Sequence, residues 1–317
     1  MSDGHDPERA RRSGALSRRQ VLTLLGLAPL AAMIRPGDSR STALATRPIP
    51  ASGERIPVIG LGTWETFDIG SSDAALRALQ DVLAAFSAAG GRLVDSSPMY
   101  GRAESVLGEL LSRLGIRPSL ILADKVWTSG RAAGVAQMEE SLRRLRTPSI
   151  DLMQVHNLVD VGEHLPTLRE WKRRGLVRYI GVTHYHSGAH AEVERVLRRE
   201  SLDFLQINYS ILEPEAGARL IPLAADRGVA VIANRPFAGG DFFRATRGRP
   251  LPALAAEIGC RTWAEMALKW ILGDPLVTAA IPATDRLDHL ADNLAGGRGA
   301  FPSPDLRRRI SAAARTA

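Results

Sequence analysis

The chain has a single cysteine, Cys260, among 317 residues, so it can form neither an internal disulfide nor a paired-cysteine metal site. Nothing in it has zinc-type spacing. Aromatic residues are scarce at 5%, and no basic patch is interleaved with them. The formal charge of +7 is therefore read as a solvated basic surface, its arginines scattered over helix-like stretches such as 142–146, and not as a nucleic-acid stripe. No strand candidate is followed by a complete G-x-G-x-x-G; the nearest match, GLGTWE at 60–65, lacks the third glycine. Paired catalytic carboxylates and metal-ligand clusters are also missing, which argues against a barrel hydrolase or lyase. What remains is a 45% hydrophobic chain of a length that buries one large core, and no second domain is needed.

Residues 1–45 differ in kind from the rest. Residues 17–34 read SRRQVLTLLGLAPLAAMI, a paired arginine directly before an uncharged apolar run, with Arg9, Arg11 and Arg12 upstream. This is the pattern of a twin-arginine export signal, which implies the twin-arginine machinery as a partner and a periplasmic or exported location. The run is shorter than the roughly 20 apolar residues of a membrane-spanning helix, so no stable span is expected in the mature protein. Ala43 and Ala45 offer an A-x-A cleavage site before Thr46. A basic tail with a short helix, or an uncleaved anchor, are the other readings of this segment.

In the expected domain 46–317, short β-rich runs alternate with longer amphipathic stretches after Arg55, the pattern of a parallel sheet with crossover helices. Strands are expected at 58–62, 92–95, 120–125, 150–156, 179–183, 204–208, 229–233 and 278–282. Helical periodicity occupies 74–88, 135–145, 190–199 and 262–272, among others. Eight such units are most economically closed into an α/β fold of the (β/α)8 TIM barrel type, with an open doubly wound sheet as the alternative. Several expected strands end in residues an ordinary core does not choose: Asp95, Lys125, His156, Thr183 with His184, and Gln206. In a barrel the carboxyl ends of all strands face one mouth, where these groups would converge.

The stretch 95–111, Asp95 followed by SSPMYGRAESVLGELL, then resembles the signature of the aldo/keto reductase family through Asp95, Tyr100, Gly101, Glu104 and Gly108. ADKVW with Lys125, DLMQVHN with His156, RYIGVTHY with Gly181, QINYS with Gln206 and IPATDRLDHLADNLA follow in family order, so the resemblance spans 56–295. It implies a catalytic tetrad of Asp95, Tyr100, Lys125 and His156. Tyr100 would be the general acid for a carbonyl oxygen that receives hydride from a nicotinamide cofactor. Lys125, held by Asp95, would ease ionisation of the phenol, and His156 would orient the carbonyl.

The same resemblance implies contacts to the cofactor from Thr63, Trp64, Asp95, Thr183, His184, Gln206, Asn234, Arg235, Pro236 and Phe237. Here His184 replaces the family's asparagine beside Thr183, and Asn234 replaces the tyrosine that stacks on the nicotinamide ring. At the adenine end Ala283, Thr284, Arg286, His289, Asp292 and Asn293 match the segment around the 2′-phosphate. Ala283 stands where a lysine is usual, and Arg286 is the replacement cation, which favours NADP, with NAD as the second choice. Trp64, Trp127 and Asn157 match substrate-pocket positions, the partner being a small-molecule carbonyl. The segment 239–250, carrying Phe242 and Phe243, is a candidate lid. A nucleotide-bound redox sensor or partner-binding subunit on the same barrel is the second functional reading, since a fold does not dictate turnover. Export also suggests a tightly held NADP, loaded before the folded protein leaves. No metal is expected.

Overall fold

Parallel neighbours in a sheet require crossovers of a dozen residues or more, and this computed structural model, which describes residues 43–70 and 72–315, supplies them mostly as helices. A hairpin of β1 (Thr46–Pro48) and β2 (Arg55–Pro57) comes first, paired antiparallel. The eight strands that follow are β3 (Leu61–Gly62), β4 (Leu93–Asp95), β5 (Ile121–Val126), β6 (Ile150–His156), β7 (Val177–Thr183), β8 (Phe204–Asn208), β9 (Ala230–Asn234) and β10 (Ala279–Ala280). Each pairs in parallel with the next in sequence. Parallel bridges Ile59 to Ala280 and Gly62 to Ala283 join the last strand to the first. The sheet is therefore a closed (β/α)8 barrel, and the open-sheet alternative falls.

The helices are α1 (Asp73–Ala88), α2 (Ala103–Leu114), α3 (Arg131–Arg144), α4 (Val161–Arg173), α5 (His190–Arg199), α6 (Leu220–Asp226), α7 (Asp241–Thr246), α8 (Trp263–Leu272), α9 (Leu287–Gly296) and α10 (Pro304–Arg315). Local chemistry sets their ends. Ser72 caps α1 by accepting the Ala75 N–H at 3.3 Å, and Thr262 does the same for Glu265 at 3.2 Å in α8. In α1 the buried residues are Leu79, Val82, Leu83 and Phe86, the 3–4 spacing of a helix laid against the barrel. Gly115 ends α2 in the left-handed conformation, φ 65°.

Every residue of β5, β6, β8 and β9 is buried, because helices cover the outer face and side chains fill the inner one. The inner core holds Leu93, Ile121, Leu152, Tyr179, Phe204 and Ala230, together with Ile49 and Ile56 from the hairpin end, which stop the amino-terminal side of the barrel. Leu44 is buried in the outer core, Ala45 donates its N–H to Gly297 O at 2.9 Å, and Ala45 O accepts from Val58 N–H at 2.9 Å. These residues fall within the expected 1–45 signal, the rest of which, apart from Ala43, lies outside the described residues. Among the described residues no helix is long and apolar enough to cross a membrane.

Where α2 meets the end of α3, Gly108 permits a backbone approach no other residue allows. A Cβ built there would lie 2.1 Å from Arg144 O and 2.8 Å from Leu145 Cα, both main-chain atoms that cannot swing aside. Gly108→Ala is expected to destabilise the protein by about 1–3 kcal/mol, read as a lower urea midpoint with an unchanged slope. An unchanged midpoint would mean that the helices separate without cost.

Candidate active site

Alternate residues of a strand point to opposite faces, so each inward-facing series can be followed from the stopped end to the open mouth. Leu93 is followed inward by Asp95; Ile121 and Ala123 by Lys125; Leu152 by Gln154 and His156; Tyr179 by Gly181 and Thr183; Phe204 by Gln206; Ala230 and Ile232 by Asn234. The apolar members belong to the inner core, and the polar ones gather where the strands end.

Asp95, 2% exposed, is the hub. Its Oδ2 accepts from Lys125 Nζ at 2.7 Å, and its Oδ1 from Gln206 Nε2 at 2.8 Å and Gln154 Nε2 at 3.4 Å. Lys125, wholly buried, also donates to Ser96 O at 2.6 Å. Gln206 in turn accepts from Thr183 Oγ1 at 3.1 Å. Thr63 braces the same strand end, donating to Asp95 O at 3.0 Å. Burial works to lower the pKa of the Lys125 ammonium, but Asp95 and then Tyr100 outweigh it, and the value stands above that of an ordinary lysine.

Tyr100 sits on the turn between β4 and α2, its N–H bonded to Ser97 O at 3.0 Å. The turn is closed by Gly101 in the left-handed region, φ 57°, over Asp68, which accepts the Arg102 N–H at 2.9 Å. The Lys125 ammonium lies 5.1 Å from the phenol ring centre. Burial raises the phenol pKa and Lys125 lowers it; burial wins, so the pKa is above the free value and the group stays protonated. The lysine offsets the burial penalty without reversing it, a weaker effect than the resemblance implied.

His156 meets Tyr100 edge to face, ring centres 6.2 Å apart. Burial, then Lys125, then His184 push its pKa down to about 2, so the ring is neutral at physiological pH. Ser97 Oγ is 3.4 Å from the Met99 N–H it accepts and 3.3 Å from His156 Nδ1. Donation from the Ser97 hydroxyl to Nδ1 is the arrangement that leaves Nε2 as the imidazole's N–H donor.

The open end of the barrel holds a cavity of about 630 Å³. Thr63, Trp64, Asp95, Tyr100, Trp127, His156, Asn157, Thr183, Gln206, Asn234, Arg235, Pro236, Phe237 and Ala283 all line it. A second cavity of about 280 Å³ is lined by His289, Asp292 and Asn293, and shares Phe237, Phe243 and Ala283 with the first. The two form one strip from the tetrad to α9, the extended shape a dinucleotide requires. Buried acceptors without donors, Asn157 Oδ1 and Asn234 Oδ1, edge its inner end. Asn234 Nδ2 donates to His184 O at 3.0 Å, which fixes the orientation of that amide. These residues fit a nicotinamide dinucleotide. The segment 239–250 contains α7, and its Phe243, which lines both cavities, has its ring centre 4.7 Å from that of Phe237.

Three expected cofactor residues stand elsewhere. His184 does not line the cavity: Nδ1 accepts the Tyr185 N–H at 3.0 Å and the ring stacks on Tyr185. Thr284 is buried in its own turn, its Oγ1 accepting the Arg286 N–H at 3.1 Å. Arg286 is exposed and ion-paired with Asp288. Residues the sequence reading missed include Tyr185 and Met99 on the mouth and Thr262 and Trp263 at the far cavity. Gln154 was missed as well, although its place two residues before His156 on β6 turns it inward.

Fold and site together define an oxidoreductase that works at the mouth of a (β/α)8 barrel. The model of the aldo/keto reductase family matches residues 58–308, and the chain belongs to that family. It is 26% identical over 248 residues to methylglyoxal reductase DkgB of Salmonella typhimurium, covering 75% of this chain and 86% of the relative. It is 30% identical over 191 residues to aldo-keto reductase YhdN of Bacillus subtilis, covering 55% of this chain and 56% of that one. Among solved structures, an aldo/keto reductase from Klebsiella pneumoniae in complex with NADP and acetate superimposes with a TM-score of 0.68 at 25% identity, over 82% of this chain and 92% of that one. The holo form of aldo-keto reductase AKR11C1 from Bacillus halodurans shares the fold with a TM-score of 0.69 at 24% identity, over 86% and 97% of the two chains.

Proposed function

We propose that the protein reduces aldehyde or ketone carbonyls to alcohols with NADPH, Tyr100 acting as general acid. The observation that carries this reading is the Asp95–Lys125–Tyr100–His156 constellation at the wall of a cavity long enough for a dinucleotide. The reduced nicotinamide supplies the hydride when bound. Tyr100 delivers the proton to the carbonyl oxygen, Lys125 and Asp95 hold the phenol's electrostatic environment, and the neutral His156 donates from Nε2 to orient the oxygen. Trp64 and Trp127, 45% and 41% exposed, give the substrate an apolar entrance. The test is oxidation of NADPH by the purified protein with aromatic aldehydes, short aldehydes and dicarbonyls. Nucleotide binding without turnover on any of them would favour the sensor reading.

The preference for NADP rests on Arg286. Arg286 lines neither cavity, but it stands three residues before His289, which lines the far one, and its partner Asp288 is exposed, so a 2′-phosphate can displace that carboxylate at small expense. Arg286→Ala is expected to raise the Kd for NADPH on the order of tenfold and to leave that for NADH unchanged, by fluorescence titration. Equal effects on both coenzymes would remove the arginine from the phosphate site.

We read residues 17–34 as a twin-arginine signal that sends the folded protein to the periplasm with NADP aboard, where the coenzyme cycles between an alcohol and a carbonyl without leaving. Leu44 and Ala45 take part in the barrel, so we place processing on the amino-terminal side of Leu44, not after Ala45. Amino-terminal sequencing and nucleotide analysis of protein recovered from the periplasm test both points; a mature chain beginning at Thr46, or one free of nucleotide, goes against them.

A further inference from the structure

Behind the active site, on the outer side of β5, lies a group of charges that the reaction does not use. With Lys125 directed inward, the alternation of the strand turns Asp124 outward, between Leu122 and Val126 of the outer core. Asp124 is wholly buried, and neither carboxyl oxygen has a hydrogen-bond donor. Glu104, 1% exposed, reaches it from the first turn of α2. The Oε2 of Glu104 accepts from Arg144 Nη1 at 3.0 Å, while Oε1 has no donor. Arg144 is shared with Glu140, whose Oε1 it holds at 2.7 Å. Neighbouring positions on the sheet, Met153 of β6 and Val94 beside Leu122, carry no charge.

Three buried carboxyl oxygens meet with no donor among them. Two ionised carboxylates in contact, with one arginine on the far side, repel each other and are poorly solvated. The donor that satisfies the arrangement is a proton on one carboxyl. Arg144 marks Glu104 as the ionised member, and Asp124 as the one that carries it.

We propose that Asp124 and Glu104 share a single proton, and that this bond ties the segment bearing Tyr100 to the strand bearing Lys125, holding the two catalytic groups in register. Glu104 stands four residues after Tyr100, and Asp124 directly precedes Lys125. The bond thus closes a short loop of structure around the pair whose ring-to-ammonium distance is 5.1 Å. Asp124 and Glu104 act through Tyr100 and Lys125 and are positioning residues.

Burial first, then the facing Glu104, hold the Asp124 carboxyl well above the usual carboxylate range, with Lys125 opposing. An acid whose pKa is higher in the folded than in the unfolded state favours folding most at low pH. That contribution is lost as pH rises from the ordinary aspartate value towards the raised one.

The role in register rests on the reductase reading; the shared proton does not. Asp124→Asn keeps a donor towards Glu104 and cannot titrate, whereas Asp124→Ala removes the bond. From pH 4 upward the melting temperature of the wild type should fall relative to that of Asp124→Asn, and the curves should run parallel once the proton has left the folded protein. Where the curves become parallel the kcat of the wild type should fall severalfold and that of Asp124→Asn should hold, while Asp124→Ala is low throughout. The Kd for NADPH should be the same in all three. Melting curves that stay parallel from pH 4 upward overturn the shared proton, and diverging curves with a wild-type kcat that does not fall where they become parallel overturn its role in register. If Asp124→Ala does not fold, wild type and Asp124→Asn decide both points. A wild type that melts as described but turns over no carbonyl sinks the reductase reading and leaves the proton established.

Discussion

Tyr100→Phe should lower kcat for carbonyl reduction by about a hundredfold to ten-thousandfold, with the Kd for NADPH nearly unchanged. The substitution removes one oxygen and keeps the ring, so the packing against His156 and the face towards Lys125 survive. What is lost is the phenol proton at the moment charge develops on the carbonyl oxygen. No neighbour replaces it. His156, with its pKa pushed down to about 2, carries no ionisable proton at neutral pH beyond a weakly acidic ring N–H. Lys125 is wholly buried and has its ammonium committed to Asp95 and Ser96 O. Single-turnover oxidation of bound NADPH measures the effect directly. A variant that keeps within a factor of about ten of the wild type would show that the proton comes from water.

Asp95, Lys125 and His156 were legible because a barrel strand obeys a simple rule, whereas Tyr100, on a turn, was picked out only by the family resemblance. Where an apolar alternation ends in Asp95, Lys125 or His156, the side chain faces the mouth, and closure brings the strand ends together whatever their separation in sequence. The rule stops with the strand. Beyond Thr183 the chain no longer alternates, so the run His184, Tyr185, His186 gave no means of choosing which ring faces the cavity; the main-chain bond from Tyr185 N–H to His184 Nδ1 decides it. Thr262 and Trp263 join the far cavity at the start of α8, by a packing of helix against loop that no periodicity records.

Other features were hidden by brevity. Strands β1 and β2 have three residues each, and proline ends both, so the hairpin that closes the barrel left almost no alternation to read. Strand β10 has two residues, Ala279 and Ala280, yet the ring is completed by two single bridges, Ile59 to Ala280 and Gly62 to Ala283, each with one end outside the strands. Glu104 was visible as a motif residue and Asp124 as the neighbour of Lys125. Their contact was not, because it depends on α2 packing against the outside of β5, a relation between elements and not within one.

The largest effect on stability is expected at Asp95. Asp95→Ala leaves the Lys125 ammonium buried with a single carbonyl acceptor, and also strips Gln206 and Gln154 of theirs. Breaking a buried pair from one side costs about 3–5 kcal/mol, because the surviving charge is uncompensated. Lys125→Met should cost less at neutral pH, since the carboxylate keeps its two glutamine amides as donors. The sign of the pH dependence separates this cause from a general loosening. Without Asp95, burial dominates at Lys125 and its folded pKa drops below the unfolded value of about 10.4. The unfolded chain then binds more protons than the folded one, so the variant gains stability as pH rises towards that value. The deficit relative to wild type should therefore be greater at pH 7 than at pH 9 in urea unfolding, and adding Lys125→Met to Asp95→Ala should recover part of it. A deficit independent of pH, or a double variant no more stable than Asp95→Ala, would place the loss in packing and not in the unpaired ammonium.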